Sequence, residues 1–445
     1  MKKLLPLLLL LSVGSAYSQT HLEQYINLAL SSNETIRQQQ FLLDKSLWAL
    51  KEAKSLFLPH VELNGTYTLA DGGRTVDIPV GDLVNPVYKT LNQLTASNNF
   101  PQVENRSILL NPNNFYDVKL HTTYPIINAE IAYNKKIKSQ QYDLQKIETD
   151  IYKRELVKEI KVAYYNYLQA TTAIGVYENA LALVKENERI NTSLFNNQKV
   201  NRTAVVRSNN EVTKIAAQLN TGIINRDDAR NFFNFLINQP LTTPILIDSI
   251  TNTADPHVVN DTAVNKREEL LKLNTAAAIN KNLIDLAKSY KIPKLNSFLD
   301  VGSQAFDFKV NDKSPYYFFG ISLGWNVFSG GKNKYKAKQA EADTKAIASQ
   351  TSNTEQQLKL QLSVALNSFN AAFINYNAAV SQVASSEKYY KDELRLYKEG
   401  IALYIELLDA QNQLVSAQLQ ANISLYDTLV KQAEIERANA SFIIQ

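Results

Sequence analysis

The chain has 445 residues, of which 47 are Lys or Arg and 43 are Asp or Glu, so its formal net charge is +4. This balance, with no basic cluster interleaved with aromatic residues, excludes a nucleic-acid binder that neutralises many phosphates. There is no cysteine, which excludes both a disulfide framework and a lipid-anchored N-terminal thiol.

The N-terminus has the pattern of a secretory signal peptide. Lys2 and Lys3 precede an apolar run that extends from Leu4 to Val13, and the small residues of 16–18 then offer a cleavage site. A short buried helix is the alternative interpretation of this run. We expect residues 1–18 to be removed and the mature chain, beginning near Gln19, to work outside the cytoplasm.

Four segments alternate between apolar and polar residues with the period of a β-strand. We predict strands at 61–70, 115–124, about 295–307 and 316–325. Alternation over about ten residues with aromatic ends is the weak signature of an outer-membrane strand, and an ordinary half-buried soluble strand fits the alternation equally well. Between the first two strands, 71–114 contains several glycines and prolines, so a large surface loop is predicted there.

Two long stretches without proline, 126–239 and 316–445, predict long helices. Each contains an apolar seam whose steps alternate between four and three residues, which is the coiled-coil period. The first seam is Leu156, Ile160, Ala163, Tyr167, Ala170, Ile174, Tyr177 and Leu181; the second is Leu358, Leu362, Ala365, Phe369, Ala372, Tyr376, Ala379 and Val383. The two seams are 202 residues apart at every position, which indicates an internal duplication.

The duplication predicts the organisation of the chain. We expect a first structural repeat at 19–240, a connecting segment at 241–265 and a second repeat at 266–445, each with two strands and long helices. The fold class is therefore mainly α with four strands, and it is mainly α with membrane β if those strands span a bilayer. No later run of 18 apolar residues follows the signal peptide, so a membrane-spanning part could only be a β-barrel. Four strands are too few to close one, and other copies of the chain would have to complete it.

Three motifs resemble the TolC family of outer-membrane efflux channels. Tyr397 and Gly400 are followed by the run 407–411 (LLDAQ), the sequence WNVFSGG at 325–331 enters a long helix, and REEL at 267–270 opens the second repeat. Each motif is degenerate, whereas their order, spacing and duplication together are specific. The resemblance covers about 20–440.

The resemblance implies a homotrimer in the outer membrane of a Gram-negative bacterium. Three chains would form a 12-strand β-barrel in outer-membrane lipid, continuous with a 12-helix α-barrel tunnel across the periplasm. Such a channel is a passive conduit of a tripartite efflux or type I secretion system. Its partners are a periplasmic adaptor and an inner-membrane pump of the RND or ABC type, which open the helical tip. No cofactor, metal or nucleic acid is implied.

The resemblance also places a gate at the helical turns 195–203 and 397–404. Glu406 and Asp409 match acidic family positions and lie three apart, so in a trimer six carboxylates would surround a narrow pore and favour cations. Tyr397 matches a gate aromatic and Gly400 the glycine of the turn. The family's gate-tying Arg and Asp are replaced by Ala402 and Ala204, and the glycine of the first copy by Gln198; these departures leave Arg202 and Arg207 as candidate partners of Glu406 or Asp409.

Other function classes fit the sequence less well. The four histidines have no metal-ligand spacing, and Gly330-Gly331-Lys332-Asn333 lacks the remainder of a phosphate-binding loop, so we predict that the chain is not an enzyme. A soluble periplasmic coiled-coil scaffold or adhesin would explain the signal peptide and the seams but not the four symmetrically placed strands. A nonspecific porin would be mostly strand.

Overall fold

The structure, a computed structural model, describes residues 20–248 and 266–442. The predicted signal peptide and most of the predicted connecting segment lie outside the described residues. The elements in chain order are α1 (His21–Ser32), α2 (Glu34–Ser55), β1 (His60–Thr68), β2 (Thr75–Ile78), α3 (Val80–Thr95), β3 (Arg106–Leu109), β4 (Phe115–Ile127), α4 (Ala129–Asn196), α5 (Arg202–Leu236), α6 (Glu268–Lys288), β5 (Lys294–Phe306), β6 (Pro315–Gly324), α7 (Lys332–Lys398) and α8 (Tyr404–Ala438).

The four predicted strands are confirmed and form one antiparallel sheet in the order β1-β4-β5-β6. The register places Leu63 opposite Leu120 and Val301 opposite Tyr317, so apolar residues share one face. Lys119 and Asp300 share the other face, where their side chains form an ion pair of 3.2 Å. One apolar and one polar face follow directly from the two-residue period of the strands.

The prediction of a surface loop at 71–114 is wrong in part, because this segment has secondary structure of its own. It contains the 16-residue helix α3 and a two-stranded antiparallel sheet of β2 and β3. The helix includes Pro86, seven residues into it, and this proline had argued for a loop. Hydrogen bonds from asparagine side chains to a neighbouring segment hold α3 in place, which a sequence pattern does not reveal.

The long helices are confirmed, and both seams are buried over most of their length. Leu156, Ile160 and Ala163 on α4 and Leu358 and Leu362 on α7 are all at most 4% exposed. The helices α4 and α8 run antiparallel, since Lys161 pairs with Glu436 near the end of α8, whereas Asn187, further along α4, bonds Gln411 near the start of α8. The duplicated pattern thus marks packing faces.

The chain divides into two compact units, and each takes segments from both predicted repeats. The first contains the described residues up to 47, together with 140–279 and those from 343 onward; the second consists of 48–139 and 280–342. In the first unit the largest apolar cluster joins α1, α4, α5 and α8 around Ile26, Ile160, Tyr164 and Phe233. The second unit contains the sheet and α3.

The REEL motif at 267–270 has a structural role within the first unit. Arg267, 3% exposed, binds Glu269 through two hydrogen bonds and donates to the carbonyl of Ala438 at the end of α8. Glu269 also accepts from Arg437 at 2.7 Å. Burial opposes ionisation, but the hydrogen bonds from the two arginines outweigh it and lower the pKa of Glu269 to about 2. The motif therefore connects the start of α6 to the end of α8.

Candidate functional site

The turn between α7 and α8 is a Schellman motif closed by Gly400. The amide of Ile401 donates to the carbonyl of Leu396 at 2.9 Å, and the amide of Gly400 donates to that of Tyr397 at 3.0 Å. Gly400 has a φ of 76°, in the left-handed region that glycine adopts without a steric cost. The predicted glycine of the turn therefore ends α7.

The turn between α4 and α5 repeats this geometry 202 residues earlier. The amide of Lys199 donates to the carbonyl of Leu194 at 2.9 Å, and the amide of Gln198 donates to that of Phe195 at 2.8 Å. Gln198 has a φ of 56°. The loss of the first glycine therefore did not change the turn, but the first copy now holds a side chain in a strained backbone region.

The two following helices begin differently. Asn201 caps α5 because its side-chain oxygen accepts from the amide of Ala204 at 3.2 Å. Its counterpart, Leu403, has no side-chain acceptor. Instead the carboxylate of Glu406 turns back and accepts from the amide of Leu403 at 2.7 Å. Glu406 thus stabilises the start of α8, a structural role that the predicted acidic ring did not include.

Glu406 and Asp409 lie on an exposed face of α8, as three-residue spacing predicts. Asp409 accepts from the side-chain amide of Gln413 at 2.7 Å, one turn further on. The pKa of Tyr389 on α7 is raised, first by burial and then by the charges of Glu393, Asp409 and Glu406. Carboxylates of α7 and α8 therefore share one patch beside this tyrosine.

Tyr397 is buried and faces other side chains of the chain. Its hydroxyl donates to the side-chain oxygen of Asn191 on α4, and its ring lies 5.8 Å from that of Tyr404. Burial raises the pKa of Tyr404 to about 12, and hydrogen bonds with Asn191 and Ser208 oppose this rise. Tyr397 therefore joins α7 to α4 within one chain.

A second buried polar contact joins α4 to α8. Asn187 donates to the side-chain oxygen of Gln411 at 2.6 Å, and both residues are almost fully buried. The remaining amide atoms, Asn187 Oδ1 and Gln411 Nε2, have no hydrogen-bond partner among the described residues. A buried donor or acceptor without a partner costs free energy, so this contact holds α4 and α8 together less strongly than an apolar contact would.

The two positions at which the sequence departs from the TolC pattern, Ala204 and Ala402, lie in the apolar cluster around these polar contacts. Ala204 and Ala402 pack with Leu407 and the buried tyrosines. Arg202 and Arg207 are exposed, and neither forms an ion pair with Glu406 or Asp409 in the described part of this single chain. The structure thus brings Tyr397, Gly400 and the two acids to one turn and leaves the arginines unpaired beside it.

The buried amides were not identified from the sequence, although a signal was present. Continuation of the α4 seam beyond Leu181 in steps of three or four places Val184, Asn187, Asn191 and Leu194 on one face. Asparagine at a seam position of a coiled coil usually specifies pairing at a cost in stability. Two such residues one turn apart could have been singled out.

The comparisons with known proteins relate this arrangement to efflux channels. Residues 261–440 match the family model described as outer membrane efflux protein. No curated protein matches the chain significantly. The matched region includes α6, β5, β6, α7 and α8, and it contains Tyr397, Gly400, Glu406 and Asp409.

Solved structures agree with the family match. The MtrE outer membrane channel of Neisseria gonorrhoeae has a TM-score of 0.74 at 17% identity, over 94% of this chain and 88% of that one. The outer membrane protein VceC of Vibrio cholerae gives 0.74 at 14% identity, over 94% and 95% of the two chains. The CmeC outer membrane channel of Campylobacter jejuni gives 0.73 at 14%, over 94% and 85%. At these identities the likeness establishes the fold, which is that of outer-membrane channels.

None of the helices at 20–248 and 266–442 combines the length and the apolar character needed to cross a bilayer. Within the same ranges, no three potential metal ligands among His, Cys, Asp and Glu are gathered at one point.

Proposed function

We propose that this protein is the outer-membrane channel of a tripartite efflux or type I secretion system. It acts as a passive homotrimeric conduit from the periplasm to the exterior. The observation that carries the proposal is the sheet, which has two open edges and an exposed apolar face.

The edges of the sheet support assembly with other copies. Strands β1 and β6 each pair on one side only within the described chain. Unpaired backbone amides and carbonyls are costly in lipid, so a membrane sheet must have both edges paired. Pairing β1 of one chain with β6 of the next would satisfy both edges, and three chains would give the proposed 12-strand barrel.

The faces of the sheet support a place in the outer membrane. On β6, Tyr317, Phe319, Ile321 and Leu323 share one face and are 61–75% exposed in the single chain. The opposite face holds the charged contacts, among them that of Lys119 with Asp300 and that of Tyr316 with Asp117 at 2.5 Å. In an outer-membrane barrel, one face of each strand is apolar and contacts lipid, and the other face is polar and contacts water.

The long helix α7 supports the same assembly. Besides its buried seam, it has a second row at Leu360, Val364, Ala371 and Ile374, all of which are exposed. Their steps of four, seven and three again follow the coiled-coil period. A helix with two seams packs against two neighbours, so α7 has room for a helix from another chain in a proposed 12-helix tunnel.

The turns at 195–203 and 397–404 are the proposed gate. The exposed acids Glu406 and Asp409 would form a ring in the trimer, whereas Tyr397 with Asn191 and Asn187 with Gln411 hold the turn of each chain. An adaptor and an inner-membrane pump would open the tip, as the resemblance to the TolC family implies. Transport, rather than catalysis, is the proposed activity.

Fractionation and electrophysiology test the proposal together. The full chain should appear in the outer-membrane fraction, require detergent for extraction, migrate as a trimer and conduct ions in a planar bilayer. Recovery in the soluble periplasmic extract would contradict it and favour a coiled-coil scaffold or adhesin. Co-purification with an adaptor and a pump would identify the system served.

A further inference from the structure

The helix α3 lies at one end of the four-stranded sheet, and the long helices α4 and α7 begin at the opposite end. It follows the C-terminal end of β1 and precedes the N-terminal end of β4. The helices α4 and α7 follow the other ends, those of β4 and β6. In the proposed channel α3 therefore belongs to the outer mouth.

One face of α3 is covered by the returning chain at 100–105. Asn85 donates to the carbonyl of Val103 at 2.9 Å and accepts from its amide at 2.8 Å. Asn92 forms the same pair of bonds with Phe100, at 2.8 and 3.1 Å. A Cβ added at Gly81 would lie 2.3 Å from the carbonyl oxygen of Val103, so the close approach requires glycine. The helix is thus fixed to the segment beside it.

The face of α3 away from this segment is apolar and uncovered. Leu83, Val87 and Leu94 are 71%, 56% and 79% exposed. With Thr90 they are spaced by four, three and four residues, the period of a helix–helix seam. Single exposed apolar residues are common on protein surfaces, whereas a row at this spacing indicates a helical partner.

The charges of α3 favour an identical helix as that partner. Asp82 and Lys89 are its only charged residues, and both lie off the row. The side chain of Asp82 is engaged by Asn105 at 2.9 Å. Identical uncharged rows can meet without like-charge repulsion. A helix that lies on a lipid surface usually has a polar face rich in Lys or Arg, and α3 has one Lys.

We infer that the α3 helices of neighbouring copies pack against one another through Leu83, Val87 and Leu94 and narrow the outer mouth of the channel. This inference rests on the proposed trimer. It assigns to 80–95 a contact between copies of this chain, separate from the sheet edges and from the helical turns.

Disulfide cross-linking tests the contact, because the native chain has no cysteine. Leu94→Cys in the full chain, oxidised in outer membranes, is expected to give a covalent dimer on non-reducing gels. Lys89→Cys, exposed on the same helix but off the row, is the matched control and should stay largely monomeric. An intact oligomer in which Leu94→Cys forms no more dimer than the control overturns the inference.

Two further measurements separate the possible failures. If the wild-type protein is monomeric in mild detergent and does not conduct, the proposed function fails and the contact with it. If the oligomer conducts but a fluorophore on Leu94→Cys is quenched by lipid-borne quenchers, a lipid surface occupies the row and the inference alone fails. With the contact present, Leu83→Asn with Leu94→Asn should raise single-channel conductance, whereas Lys89→Asn should not.

Discussion

Gly400 and Gln198 occupy the same left-handed position in two turns that are 202 residues apart. Both positions close the same pair of hydrogen bonds, but only the second copy has the residue that adopts this backbone without strain. We therefore expect the turn at Gln198 to be less stable than the turn at Gly400, because only glycine adopts this backbone conformation without strain.

Exchanging these residues should change the turns in opposite directions. Gln198→Gly is expected to stabilise its turn by about 1 kcal/mol and Gly400→Ala to destabilise its own by a similar amount. A Cβ at Gly400 would meet open space, so the effect would be one of backbone strain alone. Hydrogen exchange of the Lys199 and Ile401 amides measures both. Gly175→Ala is the control. Gly175 lies inside α4 and a Cβ there would meet open space, so this substitution should stabilise the helix.

Tyr397→Phe should loosen the α7–α8 turn. The substitution removes the hydroxyl that Asn191 accepts from, and Asn191 is fully buried, so its unpaired oxygen would cost about 1–3 kcal/mol. We expect faster hydrogen exchange at the turn and a larger conductance in a planar bilayer. Tyr376→Phe changes a partly buried ring on the same helix and should leave both unchanged. Equal effects of the two variants would contradict a role of the hydroxyl.

The acidic ring can be tested without removing the helix cap. Gln at position 406 can still accept from the amide of Leu403, so Glu406→Gln with Asp409→Asn removes charge and retains the cap. A trivalent cation added from the periplasmic side should block the wild-type channel and not this variant. Block that persists in it, or in Glu406→Ala with Asp409→Ala, would show that the ring is elsewhere.

The ion pairs of Glu269 predict a dependence of stability on pH. Because its folded pKa, about 2, lies below that of an exposed carboxylate, the unfolded chain takes up the proton first as the pH falls. The stabilisation should be complete above about pH 5 and be lost towards pH 2. Glu269→Gln should cost about 3 kcal/mol at pH 7 and less at pH 3, measured by thermal unfolding. Glu186→Gln, in an exposed pair with Arg189, should change little.

Much of the fold could be predicted from local patterns. The strands and both seams follow from periods of two and three and a half, because burying one face of a strand or helix leaves that period in the sequence. The segment 71–114 could not be predicted in the same way. Its helix depends on bonds between Asn85 and Val103 and between Asn92 and Phe100, contacts that have no period.

The candidate site shows the same division. The sequence placed Gly400, Glu406 and Asp409 at one turn because they are neighbours along the chain. It did not indicate that Glu406 caps α8. Nor did it indicate that Asn191 binds Tyr397, because these two residues are 206 positions apart in the chain. The predicted role of the acids as a pore ring stays a prediction.

By itself, the sequence determined that the chain is duplicated, that its long helices have one buried seam each and that four strands alternate, because these properties recur at fixed spacing. Only the tertiary structure decided which polar side chains are buried together, that the first turn survives without glycine, and that α3 has an uncovered apolar row. These depend on which distant segments come into contact, and a contact between distant segments leaves no fixed spacing in the chain.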